Sequence, residues 1–273
     1  YGVTHPTKPG LKIPQMFEAA IDKELKGVWI IGEDIVQTDP NSAHVVEAMN
    51  SLELLVVQEI FMSETAKLAT VVLPGTTFLE KDGTFTNTER RIQRVNKAVE
   101  PLPGTKPDGV IVTDMMQKLG FDQPTYDADQ VLKEIADVVP FFKGVTRERL
   151  GKLGLQWPVQ EDGTDTQILH TESFKLGKGR LKNFDWKEST EIKTNKKKYP
   201  LILTTSRVLQ HYNAATMTRR TKNINIVDED VLLIHPKDAA QRDINTGDIG
   251  RLYSGRGEVA LKVEVTDKVK EGI

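Results

Sequence analysis

Cysteine is absent from the 273 residues of this sequence, and that absence excludes several kinds of chemistry. The chain cannot form a disulfide, hold an iron–sulfur cluster through thiolates or use a cysteine nucleophile. The five histidines do not recur at the spacing of metal ligands, so we expect no metal site within the chain. No apolar stretch approaches the roughly 20 residues that a membrane-spanning helix needs.

An excess of one charge is also absent. The 37 basic and 39 acidic residues give a net charge of −2, which gives no reason to expect a nucleic-acid or membrane partner. The motifs G-x-G-x-x-G and G-x-x-x-x-G-K-[ST] are missing, so two common nucleotide-binding signatures are excluded. A hydrophobic content of 38% is typical of a soluble globular protein, and the length is sufficient for two domains.

The first third of the chain alternates helical and strand patterns. Strands are predicted at 28–31, 52–57 and 70–74, which are apolar runs typical of a buried parallel sheet. A helix with one apolar face precedes the first run, and Asp39-Pro40 predicts the start of another helix after it. Ser63 is the predicted N-cap of a short helix before the third run. The β-α-β-α-β order predicts an α/β domain with a parallel sheet.

The later sequence predicts a second domain of a different kind. Helical patterns fill residues 106–153, and one of them places Val131, Ile135 and Val138 in register on one face. The charged stretch 191–200 is typical of a boundary, so we expect an α/β domain over residues 1–190 and a β domain over residues 197–273. The strand-like runs LILTTS, VLLI, IGRLYS and EVALKVEV are separated by turn residues, and they predict a small β-barrel.

Polar residues follow the predicted parallel strands, at the edge where open α/β sheets bind ligands. Gly32, Glu33 and Asp34 form either a solvated turn or a site whose carboxylates accept hydrogen bonds from the N–H groups of guanine. Glu59, which follows the next strand, is an equivalent candidate. The residues alone leave both interpretations open.

Two further polar segments also have two interpretations each. The segment GTFTNTERR (83–91) is either a capped surface loop or an anion cradle in which Arg90 or Arg91 clamps a phosphate. The segment TTSRVLQHYNAATMTRR (204–220) suits a flat, phosphate-bearing ligand, or it is an irregular bend in which His211 and Tyr212 are merely packed.

Three stretches, taken in order, closely resemble one known family: WIIGEDIVQTDPN, VVQEIFMSETAKLATVVLPGTTFLEKDGTFTNTERRIQRVNKAVEP and LILTTSRVLQHYNAATMTRR. The chain is similar to the carboxyl-terminal part of the catalytic (alpha) subunit of formate dehydrogenases, which are molybdopterin-dependent oxidoreductases. The resemblance implies the end of an α/β cofactor domain followed by an incomplete, double-psi-like β-barrel domain, with the chain truncated at both ends. It implies a bis(molybdopterin guanine dinucleotide) cofactor that carries molybdenum or tungsten.

The resemblance also implies which residues hold the cofactor. Gly32, Glu33, Asp34 and Glu59 match the edge where one guanine dinucleotide binds. The barrel segment that contacts pterin and phosphate matches Arg207, Val208, Leu209, His211 and Tyr212. No catalytic residue and no metal ligand is assigned within the chain, because the family's iron–sulfur cysteines, molybdenum ligand and catalytic His-Arg pair would precede Tyr1.

For the whole subunit, the resemblance implies oxidation of formate to carbon dioxide and an iron–sulfur cluster in the upstream part. It implies electron-transfer iron–sulfur subunits as partners and a cytoplasmic location, with no nucleic-acid or membrane contact from this segment. The chain by itself is expected to be inactive. Two alternatives remain: a different molybdopterin oxidoreductase or NADH dehydrogenase large iron–sulfur subunit, and a non-catalytic nucleotide-binding module. The run TERRIQR favours formate dehydrogenase, because the other relatives tend to have glycine after the glutamate.

Overall fold

Three apolar runs in the first third of the chain form a parallel sheet. The computed structural model describes residues 4–273. Its first strands are β1 (Gly27–Ile31), β2 (Leu54–Glu59) and β3 (Val71–Pro74), paired in the order β1-β2-β3. Ile31 pairs with Gln58, and Glu59 pairs with Pro74, so the three strands end together. The predicted parallel sheet is therefore confirmed, and its carboxyl ends form one edge.

Four short helices alternate with these strands along the chain, and one of them begins later than predicted. They are α1 (Ile13–Ile21), α2 (Ile35–Thr38), α3 (Ser42–Asn50) and α4 (Glu64–Lys67). Ser63 caps α4 as expected, because its hydroxyl accepts a hydrogen bond from the Ala66 N–H at 3.2 Å. The helix predicted to begin at Pro40 begins instead at Ser42. The Asp39 carboxylate accepts the Asn41 N–H at 3.2 Å, so it stabilises the turn ahead of α3 rather than the helix itself.

A second, antiparallel sheet follows, with three helices beside it. Its strands are β4 (Gly83–Thr86), β5 (Arg91–Val95) and β6 (Leu155–Gln156), in the order β4-β5-β6. The helices are α5 (Asp108–Lys118), α6 (Ala128–Val138) and α7 (Arg147–Leu150). Short 3-10 turns cover Phe78–Glu80 and Pro140–Phe142. The helices predicted between residues 106 and 153 are confirmed.

The core beside this sheet takes its α6 residues from one side of the helix. It is formed by Ile92, Leu132, Val145, Leu150 and Val159, with Trp157 packed against it. Leu132 and Ala136 are the buried residues of α6, whereas Val131 and Val138 are exposed. The register of Val131, Ile135 and Val138 therefore indicated the helix correctly but does not mark its most buried positions.

The last part of the chain forms a small mixed sheet. Its strands are β7 (Val231–Ile234), β8 (Ile249–Tyr253) and β9 (Glu258–Val265), and the helices are α8 (Thr190–Asn195) and α9 (Pro236–Ala240). Strand β9 is central, parallel to β7 and antiparallel to β8. Its Val263 packs with Ile234 and Ala239 in a small core. Two 3-10 turns lie ahead of β7, at Thr218–Arg220 and Lys222–Asn225.

One strand predicted in this region does not form. Residues 201–206, the LILTTS run, have no strand structure, and Ile202 N–H makes a single backbone hydrogen bond to Gly272 O at 2.9 Å. A strand needs a ladder of such bonds to a neighbour, and one bond does not supply it. The three strands that are described do not close a barrel, so the double-psi-like barrel stays a prediction. The mixed α/β fold class with a parallel sheet is confirmed.

The chain divides into two compact units, and each is built from two segments of the sequence. The first contains the described residues up to Glu33 together with Ala48–Arg180, and the second contains Asp34–Glu47 with Leu181–Ile273. The expected domain limits, 1–190 and 197–273, stay predictions, and residues 1–3 lie outside the described part. Among residues 4–273, no helix is both long and apolar enough to cross a bilayer.

The core of the first unit provides a test of this packing. Leu150 is 1% exposed, while Leu153 nearby is 79% exposed. We expect Leu150→Ala to lower the free energy of unfolding by about 2–5 kcal/mol, because it removes buried apolar volume and leaves a cavity. Leu153→Ala, the matched control, should change it by no more than about 0.5 kcal/mol. Urea unfolding of both variants gives the comparison, and equal losses would contradict the assignment of Leu150 to the core.

Candidate functional site

The carboxyl ends of the parallel strands are joined by backbone hydrogen bonds. Gly32 N–H donates to Gln58 O at 2.9 Å, and Gly75 N–H donates to Glu59 O at 3.0 Å. Gly32 has a φ of +64°, a left-handed conformation that glycine adopts without steric cost. The loops after β1 and β3 therefore leave the sheet on either side of the end of β2. The side chains at this edge are the ones that a ligand would meet first.

Two buried polar atoms at this edge have no hydrogen-bond partner among the described residues. They are Gln58 Oε1 and Thr76 Oγ1, on side chains that are 1% and 2% exposed. Leaving a buried polar group unpaired costs about 1–3 kcal/mol, and folded proteins rarely tolerate it without a reason. A ligand with N–H or O–H donors would satisfy both atoms. This pair is the strongest sign in the first unit of a binding site.

The amide of Gln58 is held by a charged network behind it. Gln58 Nε2 donates to Asp108 Oδ1 at 2.7 Å, and Lys81 Nζ donates to Asp108 Oδ2 at 2.5 Å. Burial raises the pKa of the Asp108 carboxyl, but the hydrogen bonds from Lys81 and Gln58 lower it by more, so the pKa lies below its usual value. Asp108 is therefore a carboxylate at neutral pH. It fixes one end of the Gln58 side chain.

A capped turn supports the loop that carries Thr76 and Lys81. The buried Glu80 carboxylate accepts the Thr77 N–H at 2.8 Å, the Thr77 hydroxyl at 2.9 Å and the Leu102 N–H at 3.0 Å. The pKa of Glu80 is lowered, chiefly by the bond from the Thr77 N–H, then by the Thr77 hydroxyl and the Leu102 N–H. Three donors to one carboxylate hold the turn after β3 in place.

The residues that the resemblance implies at the sheet edge have differing surroundings. Glu59 is half-buried, and its Oε1 accepts the N–H of Ile60 at 2.7 Å. Glu33 is exposed. Asp34 is buried in the second unit, where its Oδ2 accepts Gln37 Nε2 at 2.7 Å. The assignment of these residues to a cofactor stays a prediction. One oxygen of the Asp34 carboxylate is already hydrogen-bonded to Gln37 in α2.

The arginine pair of the GTFTNTERR segment is engaged within the protein. The Arg90 guanidinium donates to the carbonyl oxygens of Trp157, Thr166 and Gln167, the last at 2.9 Å. Arg91 Nε donates to Glu89 Oε1 at 2.8 Å. These contacts favour the interpretation of the segment as a capped loop, here the turn of a β-hairpin, and not as an anion cradle. Arg90 connects the hairpin to the segment after β6.

In the second unit, the segment from Arg207 forms an exposed loop with an internal clasp. His211 Nδ1 lies 3.0 Å from Thr218 Oγ1, and its Nε2 lies 2.7 Å from Val227 O. A carbonyl can only accept, so Nε2 carries a hydrogen and Nδ1 is free to accept from the threonine hydroxyl. The same hydroxyl accepts the Tyr212 N–H at 3.2 Å. His211 therefore contributes to the shape of the loop.

Several side chains of this loop are presented to the outside. Leu209 is 99% exposed and Tyr212 is 74% exposed, and Val208 is also exposed. Arg207 is exposed, and its Nη1 donates to Asn213 Oδ1 at 3.0 Å. Asn213 has a φ of +50° and serves as the acceptor that orients Arg207. The arrangement leaves the remaining guanidinium donors of Arg207 available to a ligand.

The strand pattern places Gln58 and Thr76 at the edge where ligands bind, although no role in cofactor binding was predicted for either. Lys81 and Asp108 were not predicted at the site at all. Lys81 and Asp108 are separated from Gln58 by 23 and 50 positions along the chain, and no local pattern links them. Within residues 4–273, no cluster of three or more His, Cys, Asp or Glu side chains could hold a metal ion.

Comparison with known proteins gives a consistent result over both parts of the chain. Residues 3–118 match the family model described as Molybdopterin oxidoreductase, and residues 201–273 match the Molydopterin dinucleotide binding domain. The F420-dependent formate dehydrogenase subunit alpha of Methanocaldococcus jannaschii is 42% identical over 270 residues, or 97% of this chain. The F420-dependent formate dehydrogenase 1 subunit alpha of Methanococcus maripaludis is 40% identical over 272 residues. The chain spans 40% of the length of each relative.

A solved structure supports the fold independently. The acetylene hydratase of Pelobacter acetylenicus superposes with a TM-score of 0.71, covering 95% of this chain and 38% of that one. Its sequence identity is 20%, so the likeness concerns the fold alone.

The Glu80 carboxylate, which holds the turn after β3, predicts how the stability of the protein depends on pH. Because the pKa of Glu80 is lowered in the folded protein, its contribution to stability is present above its unfolded pKa and is lost as pH falls through the folded value. We expect Glu80→Gln to lower the melting temperature at neutral pH and to flatten the acid side of the stability profile. Glu100→Gln, at an exposed carboxylate that pairs with Lys97, is the control and should leave the profile nearly unchanged. Thermal unfolding from neutral to acidic pH measures both, and an unaltered Glu80→Gln profile would refute the argument.

Proposed function

We propose that this chain, which belongs to the molybdopterin oxidoreductase family, holds a molybdopterin guanine dinucleotide within the catalytic subunit of a formate dehydrogenase. One observation carries the proposal in the structure: at the edge of the parallel sheet, Gln58 Oε1 and Thr76 Oγ1 are buried and have no hydrogen-bond partner within residues 4–273. The identity to two formate dehydrogenase alpha subunits over nearly the whole chain supports the choice of formate as substrate.

The residues at the sheet edge fit a guanine dinucleotide. Guanine carries N–H donors at N1 and at its exocyclic amine, and the edge offers acceptors in Gln58 and in the carboxylate of Glu59. Thr76 can donate to a ribose or phosphate oxygen, or accept from a hydroxyl. Gly32 has no protein atom within 4 Å of the position that a Cβ would take, so backbone groups there can come close to such a ligand. We propose that Gly32 and Glu33 border the same site, and that Asp34, in the second unit, is also a cofactor-binding residue, as the resemblance implies.

The loop of the second unit fits the anionic part of such a cofactor. Arg207 presents a planar group with several N–H donors, which matches the geometry of phosphate better than a lysine does. Tyr212 and Leu209 offer exposed ring and apolar surface, against which a flat pterin would pack. Val208 and His211 belong to the same proposed contact segment, with His211 shaping it.

When bound, the cofactor supplies molybdenum or tungsten, at which formate loses two electrons and a proton to become carbon dioxide. The chain's own residues would bind and orient the cofactor, and none of them is proposed to act on formate. Any iron–sulfur cluster would be held by residues outside this chain, since it has no cysteine. The designation of the relatives as alpha subunits supports electron-transfer subunits as partners, and we propose a cytoplasmic location.

The role of Arg207 gives the test of this function. In the full catalytic subunit, Arg207→Lys keeps the charge but cannot orient on Asn213 and contact a phosphate with two parallel donors. We expect cofactor binding to weaken by about 1–3 kcal/mol, the scale of a charge-assisted hydrogen bond. Molybdenum or tungsten content and extracted pterin, measured per mole of purified subunit, give the result alongside formate-dependent dye reduction.

A matched arginine controls for a general loss of stability. Arg256 makes a two-pronged ion pair with Glu191, at 3.0 and 2.8 Å, and Arg256→Lys also loses that geometry. The control should keep its full cofactor content. Full cofactor content in Arg207→Lys as well would contradict the proposed phosphate contact.

A further inference from the structure

One segment of 16 residues differs from the rest of the chain because all of its residues are exposed. Residues 174–189, here called the docking segment, read FKLGKGRLKNFDWKES. Residues 179–189 form no helix, strand or turn, and residues 178–188 make no backbone hydrogen bond in the part of the chain that the structure describes. The contacts that the segment does make lie near its start, where the Gly177 N–H donates to Phe174 O at 2.9 Å and the Phe174 ring lies 5.3 Å from that of His170.

The docking segment exposes several large apolar side chains. Leu176, Leu181, Phe184 and Trp186 are each at least 83% exposed. An aromatic side chain buries about 150–250 Å², so Phe184 and Trp186 alone offer about 300–500 Å² for burial. That area equals the largest apolar patch of a typical monomer, and such patches mark interaction sites. Disordered linkers are poor in aromatic residues, so the composition favours a segment that binds a surface.

The segment has no means of burying these side chains by itself. Its backbone N–H and C=O groups are available for pairing, as in a single strand that has not joined a sheet. In an extended conformation, alternate side chains point the same way. Phe184 and Trp186 would then face one side, and Asp185 and Lys187 the other. The geometry suits a segment that lies along the surface of another part of a protein.

The charges of the docking segment indicate the character of that surface. The segment contains five basic and two acidic residues, although the whole chain carries a net charge of −2. No ion pair within residues 4–273 involves its five cations, which are Lys175, Lys178, Arg180, Lys182 and Lys187. The next carboxylate along the chain, Glu191, pairs with Arg256 instead. A complementary surface is therefore acidic around an apolar centre.

The relatives indicate where such a surface is found. Their alignments span 97% of this chain and so include the docking segment, whereas this chain spans 40% of each relative's length. In those subunits, the larger part of the polypeptide is joined covalently to the segment. A contact within one polypeptide has an effective concentration in the millimolar range. A separate subunit would leave the four apolar side chains exposed until it bound, which is an aggregation hazard.

We propose that the docking segment is an interaction surface, and that its occupant is the part of the catalytic subunit that lies outside this chain. That part offers an apolar groove with an acidic rim. Phe184 and Trp186 fill the groove, and the cations of the segment contact the rim. The inference rests on the proposed function in placing this chain within a longer catalytic subunit.

Hydroxyl-radical labelling of the full catalytic subunit, purified without other subunits, tests this surface. Mass spectrometry then gives the labelling rate of each side chain in the folded and in the urea-unfolded subunit. We expect folding to slow the labelling of Phe184 and Trp186 by about tenfold or more, because interface anchors are fully desolvated. The protection should be the same at high and at low subunit concentration.

Two pairs of variants give matched comparisons. Trp186→Ala and Leu153→Ala each remove a side chain that is exposed in this chain, at 83% and 79%. Only Trp186→Ala should raise the labelling of Phe184 several-fold, because it removes the neighbouring anchor. Replacing Lys182 and Lys187 together with Glu should also raise the labelling of Phe184, because like charges then face an acidic rim. Replacing the same two lysines with Arg should leave it unchanged.

The contrary results are distinct. Labelling of Trp186 at the unfolded rate in the folded wild-type subunit would overturn the inference, as would equal labelling of Phe184 in the two alanine variants. Protection that appears only with an electron-transfer subunit, or only at high subunit concentration, would identify a different occupant and overturn it as well. An unchanged rate in the glutamate variant would contradict the acidic rim.

Cofactor content, measured on the same samples, separates this inference from the proposed function. An exposed docking segment in a cofactor-loaded subunit rejects the inference alone. A protected segment in a folded subunit that never binds the cofactor rejects the proposed function alone.

Discussion

The hydrogen bond from Gln58 to Asp108 is the interaction on which the account of the first unit depends. It joins the end of the central parallel strand to the start of α5. The oxygen of the same buried amide has no hydrogen-bond partner in the described part of the chain. The parallel register makes this possible, because three strands that end together expose their loops at one edge. Glycines 75 and 109 then allow the surrounding backbone and the Tyr126 ring to approach closely. The contacts around Asp108 therefore hold this edge in place beside the unpaired Gln58 Oε1.

In the second unit, a few contacts hold the candidate loop in shape. Its candidate segment has no strand or long helix to support it, so a histidine clasp and two 3-10 turns determine the loop's shape. That support leaves Arg207, Leu209 and Tyr212 exposed. For Leu209 and Tyr212 this is unusual, because large apolar side chains are normally buried. An exposed arginine held by a neighbouring asparagine is preorganised for an anion, because part of its conformational entropy has already been lost.

The sequence allowed much of the fold to be predicted, and the failures have physical causes. Continuous apolar runs identified β1, β2 and β3 because buried parallel strands need apolar residues on both faces. The LILTTS run begins with three apolar residues but lacks a ladder of backbone partners, which no local pattern can reveal. Asp39 failed as a helix cap because the same carboxylate can also stabilise a turn, and only the backbone decides between the two. The candidate site shows the same division. Glu59 and the segment with Arg207 were candidates from their residues and were assigned to a cofactor by the resemblance, whereas Asp108 emerged only from contacts across 50 residues.

A map of the cofactor-loaded catalytic subunit would test the central claim most directly. The quantity to measure is the distance from Gln58 Oε1 to the nearest nitrogen of the bound dinucleotide. The account predicts a hydrogen bond of about 2.7–3.2 Å to a guanine N–H, with Gln58 Nε2 still on Asp108. A guanine bound elsewhere, with Gln58 Oε1 bonded to another protein group, would contradict it.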